Sequence, residues 1–190
     1  MKRAILCLFL LLIAALLIMA AQPVTSASKR SAAAQPAHLA SHANGYSVVG
    51  LPTVSASLIN HVLCSASSPA CSTGAALYAY GIQYGIDPAY ALAFFEHESS
   101  FGTTGVARVT RSLGNIRCTP GYACIDGFRA YATWQAGYLD WYRLIRSLYV
   151  NQWHLTTVEQ IIPVYAPYDP RAYISAVEQA VNQWRSEEGS

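Results

Sequence analysis

Apolar residues recur at helical spacing through most of the chain beyond residue 45. Val54, Leu58, Ile59, Val62 and Leu63 form one stripe and predict an amphipathic helix over 52–63, with Pro52 near its start. Gly74–Tyr84 carries a second helical pattern, ended by Gly85. Asp87-Pro88 couples an N-cap to a proline at the first helical position and opens a third helix that runs to about Glu98. Between Gly102 and Ala130 the stripe vanishes, and Gly, Thr, Arg and Cys replace it; this interval predicts loops with a short hairpin. Helical spacing resumes from Thr133 as N-cap through Trp141, Leu144, Ile145 and Leu148. Thr156-x-x-Glu159 reads as a capping box for a short helix, and Asp169-Pro170 repeats the cap-then-proline device before a last helix over 173–184. There is no internal repeat. The pattern predicts a mainly α fold, a helical bundle core with one small loop or β lobe inserted after the third helix.

The N-terminus follows different rules. Lys2 and Arg3 precede an unbroken apolar run of 18 residues, 4–21, and small residues follow, with candidate cleavage after Ala27 or earlier after Ala21. Residues 1–27 therefore read as a signal peptide or an N-terminal membrane anchor, since the run is long for the first and short for the second. Residues 28–45 are rich in Ala, Ser, His and Gln without a hydrophobic period and read as a flexible spacer. Cys7 is an apolar filler in the leader. His38 and His42, an i, i+4 pair, fall in the spacer rather than on a helix. The folded domain is expected over 46–190.

Charge excludes one partner class. Setting Lys2 and Arg3 aside from the twelve basic residues leaves a balance with the ten acidic ones, and no basic patch points to nucleic acid. Four cysteines remain beyond the leader. In an exported chain they are expected to oxidise, and the short spacings favour Cys64 with Cys71 and Cys118 with Cys124. A zinc site would need tighter Cys-x-x-Cys pairs. The expectation is a monomer, secreted or held in the cell envelope, touching a membrane only through an uncleaved leader.

The candidate chemistry lies at the end of the third helix, in Phe94-Phe95-Glu96-His97-Glu98-Ser99-Ser100-Phe101-Gly102-Thr103. An apolar helix rarely closes on carboxylates, because burying one is costly unless it is paired or protonated. Glu96 and Glu98 point about 200° apart on a helix, so only one can face a cleft. Glu98 has Phe94 and Phe95 at i−4 and i−3, an apolar flank suited to raising its pKa toward that of a general acid. The zinc-protease pattern His-Glu-x-x-His fails, because Phe101 stands where the second His belongs. No Ser or Cys nucleophile signature is present, and no metal or cofactor is expected.

Glu98-Ser99-Ser100-Phe101-Gly102-Thr103 resembles the Glu-Ser-x-aromatic-Gly signature of the bacterial glucosaminidase family, the endo-β-N-acetylglucosaminidases of glycoside hydrolase family 73. Three further segments resemble that family's motifs in the same order: Gly114-Asn115-Ile116-Arg117, Phe128-Arg129-Ala130-Tyr131-Ala132-Thr133-Trp134, and Tyr165-Ala166-Pro167-Tyr168-Asp169-Pro170-Arg171-Ala172-Tyr173. The likeness covers 82–184. It implies an α+β lysozyme-like fold that cuts β-1,4 linkages of GlcNAc-containing glycan, above all peptidoglycan. Glu98 would then be the general acid and Tyr165 a cleft tyrosine that holds the sugar or orients the reacting group. Asn115 would bind a sugar amide or hydroxyl, or else brace its own turn. Arg117 and Arg129 would bind carboxylates of the wall peptide or lactyl groups, or else form internal ion pairs. Tyr168, in the last motif, is a further substrate-binding candidate. The tryptophans sit at helix spacings and read as core.

One departure affects mechanism. The family often carries a second carboxylate in the lobe after the catalytic helix. Here that interval is short, is bracketed by Cys118 and Cys124, and holds only Asp126, beside Gly127. Asp126 is either that second acid or a turn residue. Without it, Glu98 could work alone as in a lytic transglycosylase, and a non-catalytic glycan-binding wall module is the rival from outside enzymes.

Overall fold

The computed structural model describes residues 45–190. The expected leader, the spacer up to residue 44, Cys7, His38 and His42 lie outside the described residues. No helix among the described residues is long and apolar enough to cross a membrane.

The fold is mainly helical, as the periodicity predicts, with one two-stranded antiparallel hairpin. Helices α1 (Ala56–Ser65) and α2 (Gly74–Tyr84) pack together, and α3 (Pro88–Ser99) runs through the centre against α2 and the C-terminal helix. Pro88 through Phe95 are all buried. A helix that is apolar on every side belongs in the core, and this one is covered all round as far as Phe95. Asp87 caps it by accepting the Ala89 N–H at 3.1 Å. The Asp87 carboxylate also takes the Thr53 N–H at 3.1 Å, the Thr53 hydroxyl at 2.6 Å and Arg185 at 3.0 Å. One buried side chain thus ties the segment before α1 and the C-terminal helix to the start of the central helix.

The insert after α3 contains a single turn of helix, α4 (Ala107–Thr110), and the hairpin β1 (Cys124–Ile125) and β2 (Phe128–Arg129). Asp126 and Gly127 form the hairpin turn, both at positive φ (49° and 81°), as two-residue hairpin turns require. Then come α5 (Trp134–Leu144), capped by Thr133 as expected, a π-helical segment (Ile145–Gln152), α6 (Val158–Tyr165) and α7 (Pro170–Glu188).

Three local expectations are corrected. The first helix starts at Ala56, not Pro52, because the Ser55 hydroxyl accepts the Leu58 N–H at 3.1 Å while Thr53 is drawn to Asp87. The cap of α6 is shifted by one residue. The Gln160 side chain, rather than Glu159, reaches back to the N–H groups of Thr156 and Thr157 (2.9 and 3.2 Å). Asp169 precedes α7 in a left-handed conformation (φ 48°) and makes no side-chain cap, so Pro170 alone begins that helix. Both expected disulfides form, Cys64–Cys71 at the end of α1 and Cys118–Cys124 between the segment before the hairpin and the start of β1, which fits an oxidising compartment.

Candidate active site

The central helix stops abruptly. Ser100 and Phe101 both adopt left-handed backbone (φ 47° and 56°), followed by Gly102 at 79°. Such a conformation is costly for a phenylalanine and persists only where its surroundings enforce it. Here the Phe101 ring is buried, and the Ser68 hydroxyl donates to the Phe101 carbonyl at 2.6 Å. Buried Ser99 donates to the Leu113 carbonyl at 2.8 Å and accepts the Gly102 N–H at 3.0 Å. Gly102 sits at a φ of 79° that strains any side chain, and a Cβ there would press on Leu113 Cδ2 at 2.7 Å. These contacts explain the Ser-x-aromatic-Gly run physically: it ends α3 and holds the next turn against it.

Glu98 consequently sits on the last turn of α3 and lines a cleft of about 540 Å³. Glu96 is exposed and turned away from it, as the helical geometry requires. Beneath Glu98 lies an aromatic floor. Phe94 meets Trp141, Tyr165 and Tyr173 at ring-centroid distances of 5.4, 5.3 and 5.5 Å. Burial against this floor raises the Glu98 carboxyl above the ordinary range, opposed by hydrogen bonds from Tyr173 and Asn115 and by the Arg117 charge.

The direct partner of Glu98 is Tyr173, whose hydroxyl donates to Oε1 at 3.0 Å. In the sequence Tyr173 stands at the end of its motif with no role assigned to it. Its signal was that it returns to the site eight residues after Tyr165, at the first turns of α7. His97 stacks on the Tyr173 ring at 3.7 Å and covers its other side. Tyr165, expected as a cleft tyrosine that holds the sugar or orients the reacting group, lines the same cleft and donates its hydroxyl to the Gly114 carbonyl. It therefore locks the turn that carries Asn115. Gly114 must be glycine here, because a Cβ would stand 2.6 Å from Trp141 and 2.8 Å from the Tyr165 oxygen.

Asn115 adopts left-handed backbone (φ 46°) and donates from Nδ2 to the Glu98 carbonyl at 2.6 Å, with a longer 3.4 Å contact to Oε2. It braces Glu98 while lining the cleft. Arg117 and Tyr168 also line the cleft, and Tyr168 is 90% exposed. The two arginines diverge. Arg129 is buried in an ion pair with Asp140 at 2.7 Å, and Asp140 further accepts from Tyr131 (2.6 Å) and Tyr122 (3.1 Å). Arg117 is exposed, lies over the Phe128 ring at 4.5 Å and has no ion pair among the described residues. Asp126 occupies the exposed hairpin turn and is not part of the cleft lining, where Glu98 is the one acid among the described residues. The structure thus brings Glu98, Tyr165, Asn115, Arg117 and Tyr168 together and leaves Asp126 apart.

All four cysteines of the domain are in disulfides and none is available to a metal. No family model, no curated protein and no solved structure matches this chain.

Proposed function

We propose that the protein is an exported glycosidase of lysozyme-like architecture that cleaves β-1,4 linkages of GlcNAc-containing glycan, above all peptidoglycan, with Glu98 as general acid. The observation that carries this reading is a desolvated carboxyl group that is the one acid lining the cleft among the described residues, held by a phenol on one oxygen. Because Tyr173 donates to Oε1, that oxygen is committed as an acceptor, and the acid proton belongs on Oε2. From there it passes to the glycosidic oxygen as the bond to the anomeric carbon breaks with oxocarbenium character. The resulting carboxylate is stabilised by Tyr173, Asn115 and Arg117, the groups that oppose the effect of burial.

Among the described residues no second acid lines the cleft, which favours one alternative, lytic transglycosylase chemistry. There the C6 hydroxyl of the cleaved sugar attacks its own anomeric carbon and returns its proton to Glu98, so one carboxyl serves as acid and then base. End-group analysis of digested peptidoglycan separates the two. A new reducing GlcNAc end supports the hydrolase and an anhydro-muramic end the transglycosylase. Glu98→Gln should reduce release by roughly 10²–10⁴-fold, and unchanged release would exclude Glu98 as the acid. Binding without release by the unaltered protein would instead favour a glycan-binding module.

A further inference from the structure

The cleft has two unlike walls. The α6 side and the loop after it present Val164 and Tyr168, with Leu148 of the π-helical segment beside them. The opposite side, from the hairpin lobe, presents Arg117, Thr119 and Arg129. Of these cations, Arg129 is already neutralised by Asp140, and its second nitrogen donates to Thr119 at 2.8 Å. Arg117 is not neutralised. Its backbone pairs with Phe128 in an antiparallel bridge, its guanidinium rests on the Phe128 ring, and the next residue is tied to Cys124 by a disulfide. A long flexible side chain is thereby held at the rim of a cleft that contains no other free cation among the described residues.

From this we infer that Arg117 is the residue through which the cleft selects a glycan carrying a carboxylate over a neutral one. The inference rests on the glycan-cleft reading above and narrows its substrate class. The apolar wall suits the hydrophobic face of a sugar ring. A guanidinium with its donors uncommitted suits a planar carboxylate, which it can hold bidentately. In wall glycan that carboxylate has two sources, the lactyl ether of a muramyl sugar or the stem peptide; neutral chitin offers neither.

A consequence follows for the acid. The groups facing Glu98 are Tyr173 from α7, Tyr165 from α6, and Asn115 and Arg117 from the turn, and among the described residues Arg117 is the one charge that bears on it. A bound carboxylate offsets that charge, so an anionic glycan should help keep Glu98 protonated in the complex.

The test is binding to the full-length Glu98→Gln protein, arrested before cleavage, by calorimetry. The probes are a peptide-free muramyl-GlcNAc tetrasaccharide with free lactyl carboxylates, the same compound as lactyl amides, a peptide-bearing form, and chitin tetraose. The free-carboxylate or peptide-bearing form should bind roughly ten-fold more tightly than the amide and chitin probes. Preference for the first assigns the lactyl group, and preference for the peptide-bearing form assigns the stem peptide. Adding Arg117→Gln should bring the ratio close to one, and Arg117→Lys should restore part of it. Equal binding of charged and neutral probes, no binding of any probe, or a preference that survives Arg117→Gln overturns the inference. Cleavage of wall glycan by the unaltered protein, measured in parallel, reports separately on the proposed activity.

Discussion

At the scale of single residues, Glu98 is held in a compromise between burial and stabilising partners. Its folded pKa is raised, with burial the largest cause, so folding disfavours the charged form. Stability associated with this group is complete below the ordinary carboxylate pKa of the unfolded chain and is lost as pH rises through the folded value. Glu98→Gln cannot ionise and escapes that loss. Its melting temperature should exceed that of the unaltered protein at pH 7, with the gap closing below about pH 4. A higher melting temperature for the unaltered protein at neutral pH would contradict the direction of the shift. Tyr173 acts on the same group through its bond to Oε1. Its hydroxyl favours the carboxylate, so Tyr173→Phe should move the alkaline limb of the proposed glycan cleavage to higher pH. The plateau rate should fall about ten-fold, as the carboxyl loses its fixed orientation. A loss of rate with the limb unmoved would mean that Tyr173 only packs.

At the scale of elements, the third helix carries both the core and the candidate acid, and its two ends are unequally legible in the sequence. Its start was written locally in Asp87-Pro88, because capping depends on neighbours a few residues apart. The tertiary load on Asp87 was not local: Thr53 lies 34 positions away and Arg185 lies 98 positions away. Asp87→Ala removes a cap and leaves Arg185 without its carboxylate, and should cost about 3 kcal/mol in urea unfolding. A cost of well under 1 kcal/mol would reduce Asp87 to a simple helix cap. Caps elsewhere show the limit of pattern reading. Thr156-x-x-Glu159 and Thr157-x-x-Gln160 are adjacent and equally well formed as sequence, and the chain uses the second. Asp169-Pro170 copies Asp87-Pro88 in letters, but the incoming loop holds Asp169 in a left-handed conformation from which it makes no cap.

At the scale of the whole molecule, the two disulfides close loops of similar length, with sequence separations of 7 and 6, and so should contribute comparably to stability, about 2–3 kcal/mol each. Their functional weights should differ. Cys64–Cys71 fastens α1 to the loop leading into α2, away from the cleft lining. Cys118–Cys124 holds the lobe that presents Arg117 and Thr119. Replacing each pair by serines should lower the melting temperature in both cases. Glycan cleavage well below melting should fall only for the 118–124 pair. Unchanged cleavage after loss of the 118–124 pair would show that the lobe is positioned by the Arg129–Asp140 ion pair rather than by the disulfide.

The chain alone determined the mainly helical architecture, the starts of α3 and α5, the inserted hairpin, the disulfide spacing and that only one of Glu96 and Glu98 could face a cleft. All of these follow from periodicity, capping and geometry within a few residues. The tertiary structure decided which tyrosine touches Glu98, which arginine is neutralised, and that Asp126 stands apart from the cleft. Tyr173 and Tyr165 share one motif, and Arg117 and Arg129 are both loop cations in sequence. Only the packing of α7 and α6 against the end of α3, and of the lobe against Asp140, assigns them different partners. Long-range contacts set the surroundings of a charge, and those surroundings set its chemistry.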